Sequence, residues 1–148
     1  DNSTYRNIIE DAKNICKIAK DYNLLVCPEC HDNTYNNNTD AFLRIYKDID
    51  FDNFRTYFQS RYKKLSYDLD RIERTMPYIE SVHISYSEQV REQFPILKPQ
   101  YIDTLLDKII SSDFDGNILI EYTYLFSRLG LPSSMIKDIA KIKEKVGK

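Results

Sequence analysis

Residues 51–79 read FDNFRTYFQSRYKKLSYDLDRIERTMPYI, and the spacing of their large apolar side chains decides the fold expected of the chain. Those side chains recur at Phe51, Phe54, Phe58, Tyr62, Leu65, Leu69, Ile72, Met76 and Ile79, always three or four residues apart. His83, Tyr86 and Val90 continue the same phase. A repeat near ~3.5 residues sustained in this way is the pattern of helices packed along a seam. Asp50 or Asp52 is the expected cap at its start. Pro77 has no N–H to donate and its ring clashes with the preceding turn, so the helix is expected to kink or break there.

Toward the N-terminus, Tyr5, Ile8, Ile9, Ala12, Ile15, Cys16 and Ala19 lie on one helical face. That helix fades near Asp21 to Asn23, and Leu24, Leu25 and Val26 lead into Cys27-Pro28-Glu29-Cys30-His31. The Asn-rich run at 32–39 is expected to be a flexible loop. Thr39 or Asp40 then caps a helix bearing Phe42, Leu43, Ile45, Tyr46 and Ile49. Toward the C-terminus, Pro95 and Pro99 bracket a connector, and Tyr101 to Ile110 form a short amphipathic helix. Ile118 to Leu129 are uniformly apolar enough for a buried helix ending at Gly130, although Ile, Tyr and Thr between 118 and 124 also favour a strand. A last helix starts around Pro132 and carries Met135, Ile136, Ile139, Ile142 and Val146.

The composition fits this picture. A chain of 148 residues is one domain's worth, and 3 Gly with 5 Pro are few for a protein built of many turns. The expected fold is all-α: a single helical domain over 1–148, an antiparallel bundle around a long, Pro-kinked or broken central segment. With 21 basic against 23 acidic side chains the formal charge is −2, which lacks the basic footprint of a nucleic-acid binder. No run of ~18 apolar residues is present to span a membrane. Three cysteines, an odd number, do not form a disulfide framework and favour a reducing, cytoplasmic setting.

One local cluster invites chemistry. Cys27, Cys30 and His31 place two thiols and an imidazole in a tight turn, which is half of a structural zinc site, but no second CxxC or paired histidine completes it. The same letters spell the CxxCH pattern of covalent haem attachment, with Met76 or Met135 as axial candidates. A low-pKa redox dithiol would need a helix N-terminus within a βαβ unit, which the pattern around Cys27 lacks. Asp48, Asp50 and Asp52 resemble the opening of a calcium loop, yet Asn53 stands where that loop needs Gly and Gln59 where it needs Glu. Glu80 and His83 match half of a di-iron element, and His31 is the only other histidine in the chain. No catalytic set is complete. The sequence therefore points to a non-enzymatic helical interaction or scaffolding domain, the soluble part of a longer or membrane-tethered protein. It would engage a protein partner or a second copy through its helical face and need no cofactor. The alternative is a zinc-binding module at Cys27, Cys30 and His31.

Overall fold

The computed structural model describes residues 2–30, 33–60, 64–84, 100–120 and 131–147. The chain begins with α1 (Asn2–Asp21), passes through Val26, and continues with α2 (Thr39–Ile49), β1 (Thr56–Gln59), α3 (Leu65–Thr75), a 3-10 turn (Met76–Tyr78) and β2 (Ile79–Ile84). It then forms α4 (Gln100–Ile110), β3 (Asn117–Ile120) and α5 (Leu131–Val146). The strands make one sheet in the order β1-β2-β3, and both pairings are parallel. Val26 adds a fourth parallel position beside β1: its N–H donates to the Asn53 carbonyl at 2.8 Å, and its carbonyl accepts from the Arg55 N–H at 2.9 Å. Parallel neighbours need a crossover, and helices supply it at each described step.

This sheet corrects the expectation of an all-α bundle. The stripe starting at Phe51 is not one helix. Phe51 and Phe54 lie in the turns before β1, Phe58 is on β1, Leu65, Leu69 and Ile72 are on α3, and Ile79 opens β2. The break comes where the proline predicts it, with Pro77 in the 3-10 turn after α3. The strand reading of the segment from Ile118 is the correct one for Ile118 to Ile120, while 121–129, like Tyr62, Tyr86, Val90 and the 95–99 connector, lies outside the described residues. The other helices fall close to their expected places.

Alternation along the strands divides the sheet into two chemical faces. One face carries Phe58, Val82 and Ile84, all essentially dry. Against it pack Ile72 of α3, Ile102, Leu105, Leu106 and Ile109 of α4, and Ile142 of α5. A second core joins Ile9 and Cys16 of α1 to Phe42, Ile45 and Ile49 of α2, with Cys30 and Phe54. The opposite face carries Tyr57 and Gln59 on β1, Ser81 and His83 on β2, and Asn117 and Leu119 on β3. Its side chains range from half-buried to exposed.

Local details fix the strands in place. Asn53 donates through Nδ2 to the carbonyls of Cys16 at 2.8 Å and Leu24 at 3.2 Å, stitching the end of α1 to the start of β1. Asp50 ends α2 in a left-handed conformation at φ 52°, with its N–H bonded to the Tyr46 carbonyl. It is a C-cap and not the start of a helix. The N-cap of α2 is Asn38, whose side chain accepts from the Ala41 N–H. Between 33 and 38 the chain turns, with Asn36 buried and donating to the Glu29 carbonyl at 2.8 Å. Gly116 leads into β3 so near β2 that a Cβ there would run into the Glu80 carbonyl oxygen and the Phe114 ring.

Candidate active site

Gln59 is the last residue of β1, and His83 is its register partner one residue from the end of β2. Both therefore sit at the C-terminal end of a parallel sheet, the end at which α/β folds place ligands. Tyr57 lies one step below on the same face, its ring stacked on the His83 imidazole with centroids 4.2 Å apart and planes 16° from parallel. A β-bulge between Thr56 and Tyr57, where the register skips Glu80 of β2, turns these side chains relative to the start of the strand. The polar face thus presents a phenol, an amide, a hydroxyl at Ser81 and an imidazole within two adjoining strands.

Behind this rim lies a buried polar network. Asp68, fully buried in the first turn of α3, accepts from the Ser60 hydroxyl at 2.5 Å and from the Tyr101 hydroxyl at 2.8 Å. Arg71, also buried, donates to the Gln59 carbonyl at 3.1 Å and lies over the Phe58 ring. The exit of β1 is in this way tied to α3 and to the beginning of α4. The carboxylate gains further from its place near the positive end of the α3 dipole.

The cysteine cluster is divided. Cys30 is buried in the α1–α2 core, its sulfur 3.9 Å from Thr56 Oγ1 and 3.7 Å from Asn36 Nδ2. Cys27 is half-buried; burial pushes its thiol above the ordinary range, the Glu80 carboxylate adds to this, and the Arg55 guanidinium opposes it. That is the reverse of an activated thiol. His31 lies outside the described residues. Among the described residues no group of three or more His, Cys, Asp or Glu side chains is gathered to hold a metal. The aspartates of the calcium-loop resemblance do other work: Asp50 caps α2, and Asp52 pairs with Lys20 at 2.8 Å. A shallow depression lined by Lys20, Tyr46, Asp50, Phe51 and Asp52 is found there, at the opposite end of the sheet from His83.

No protein-family model matches the chain, and no curated protein does. Among solved structures it is similar to a protein from Bacillus anthracis described as the probable 3-DHS dehydratase AsbF, involved in petrobactin synthesis. The two superpose with a TM-score of 0.68 at 15% sequence identity, over 91% of this chain and 55% of that one. The chain thus spans little more than half the length of this neighbour, and the likeness is one of α/β fold. The expectation of a non-enzymatic helical scaffold is overturned with the all-α fold. The coiled-coil-like stripe that carried it is shared out among turns, strands and α3. Among the described residues no helix is long and apolar enough to cross a membrane.

Sequence reasoning placed His83 on the apolar helical stripe and in half of a di-iron element, and gave Gln59 no role beyond a failed calcium ligand. The signal for His83 was the alternation in Ser81-Val82-His83-Ile84, with Val82 and Ile84 buried and Ser81 and His83 half-buried.

Proposed function

We propose that the chain forms part of an α/β enzyme that removes water from a hydroxylated carbonyl compound at the C-terminal end of its parallel sheet. The observation that carries this reading is the register pair Gln59–His83 on a polar sheet face whose reverse side is a dry core. The name of the Bacillus anthracis neighbour supports the reaction class. In such a dehydration a base takes the proton next to the carbonyl, the neighbouring carbon loses its hydroxyl as water with a donated proton, and a carbon–carbon double bond remains. The His83 imidazole can both accept and donate a proton, which suits it to the transfer. Tyr57 supports the ring from one side, while the Gln59 amide and Ser81 hydroxyl suit a substrate rich in oxygen.

The test is incubation of the protein with 3-DHS, followed by mass spectrometry. The expected result is a product lighter by one water. Replacing a proton-transfer group lowers turnover by roughly 10²–10⁴-fold; His83→Gln should do so with an unchanged melting temperature. Absence of any product from a folded protein, or a fully active His83→Gln variant, refutes the reading.

A further inference from the structure

Two features of the N-terminal flank are unpaired among the described residues. The first is a stripe along α1. Ile9 and Cys16 pack inward, but Asp11, Ile15, Ile18 and, in the turn after the helix, Tyr22 follow a second line spaced by four, three and four. At about 100° per residue these four fall within an arc of about 60°. Ile15, Ile18 and Tyr22 are 54%, 61% and 72% exposed. Asp11 is exposed too, and no described residue pairs with it.

The second feature is the sheet edge at Val26. Val26 turns both of its main-chain groups toward β1, to Asn53 and Arg55. Alternation along an extended chain turns those of Leu25 and Cys27 the other way, and no described residue bonds to them. Pro28 has no N–H to offer, so the pairable edge ends at Cys27. The two features lie level with each other. Asn53 accepts the Val26 N–H and donates to the carbonyl of Cys16, which stands between Ile15 and Ile18 in α1. Asn53 thus sets the middle of the stripe beside Val26.

We infer that this flank is the interface of a two-fold dimer, its occupant a second copy of this chain. The spacing of the stripe is the same read in either direction, as a contact between identical surfaces requires. With the second α1 laid antiparallel, Ile15 of each copy meets Ile18 of the other. The Tyr22 hydroxyl of each then donates to the Asp11 carboxylate of the other, which supplies both with a partner. The same axis passes beside Val26 and sets the two edges antiparallel, where Leu25 of one copy exchanges both main-chain hydrogen bonds with Cys27 of the other. Antiparallel edges need no crossover, so separate chains can join in this way. At ~200 Å² for a large side chain, Ile15, Ile18, Tyr22 and the half-exposed Leu24 offer roughly 500 Å² per copy. The pair then buries roughly 1,000 Å² before the edge backbone is added, the size at which specific interfaces begin. The inference does not depend on the reaction proposed above.

The experiment is sedimentation velocity of the 148-residue chain over a concentration series, joined to oxidative cross-linking. The expected result is exchange between monomer and dimer with no larger species. Ile18→Lys sets an ammonium against Ile15 of the other copy and should raise the dissociation constant by roughly tenfold or more. Tyr22→Phe should raise it several-fold, and Ile110→Lys, at an exposed site on α4, should leave it unchanged. Circular dichroism confirms that each variant is folded. Under oxidation, Ile15→Cys chains mixed with Ile18→Cys chains should form a disulfide-linked dimer faster than either variant alone, which reads the antiparallel register. A chain that stays monomeric or forms larger species overturns the inference. So does a dimer indifferent to Ile18→Lys, one weakened equally by Ile110→Lys, or a mixture that cross-links no faster than its components.

Discussion

Replacing Asp68 by Ala removes the one carboxylate to which both Ser60 and Tyr101 donate, and it does so where none of the three has water to turn to. Asp68 is fully buried, and Ser60 and Tyr101 are each 5% exposed. Each hydroxyl that loses this acceptor costs about 1–3 kcal/mol, so the two together cost about 2–6 kcal/mol. In a domain of this size each kcal/mol lowers the melting point by roughly 2–4 °C, which gives a fall of roughly 4–24 °C. Asp68→Asn keeps one acceptor oxygen and should lose less than half as much. The control is Asp70→Ala on the same helix, where the carboxylate is half exposed and pairs loosely with Arg74 at 3.6 Å; its change should stay within about 0.5 kcal/mol. Urea unfolding of the three variants, with unchanged slopes, provides the numbers. If Asp68→Ala melts within ~2 °C of the wild type, the account of the β1 exit as held by a buried network is wrong.

Three further outcomes follow from particular contacts. Gly116→Ala puts a methyl against the Glu80 carbonyl and the Phe114 ring, where the backbone of β2 cannot retreat; a loss of about 1–3 kcal/mol in denaturant unfolding is expected, and a neutral result contradicts the close approach of β3 to β2. The Lys20 ammonium holds the Asp52 carboxyl below the usual carboxylate range. A folded-state pKa lowered in this way stabilises above the ordinary carboxylate value and stops doing so as pH falls through the lowered one. The difference in melting temperature between wild type and Lys20→Gln should accordingly be present at neutral pH, vanish in acid and shrink in high salt, and a difference that persists in acid counts against the pair. Burial raises the Cys16 and Cys27 thiols above their ordinary range, so iodoacetamide at neutral pH should modify Cys27 more slowly than a free thiol and Cys16 only on unfolding. Faster modification of Cys27 than of free thiol would show an activated cysteine that the structure does not have.

The helices were largely legible in the sequence because their apolar residues serve one purpose. Ile9 and Cys16, Phe42, Ile45 and Ile49, and Ile102, Leu105, Leu106 and Ile109 all face cores, and their spacing says so directly. The stretch from Phe51 misled for a physical reason. Strand residues Phe58, Val82 and Ile84 and helix residue Ile72 end in one core, and residues from different elements fell by accident into a common phase of three and four. The β-branched and aromatic content of Thr56-Tyr57-Phe58 and the alternation after Ile79 were the competing signals, and both lost to the longer pattern. The candidate site was hidden for the same cause. Gln59 and His83 are 24 positions apart in the sequence, and only parallel pairing across α3 makes them neighbours.

The account rests on β1 and β2 lying side by side in parallel, with Gln59 opposite His83, and nuclear magnetic resonance tests this most directly. It predicts extended-backbone carbon shifts at 56–59 and 79–84, helical shifts at 65–75, and cross-strand proton contacts between Phe58 and Val82 and between Gln59 and His83. Helical shifts running unbroken from residue 51 to 84, with those contacts missing, would contradict it.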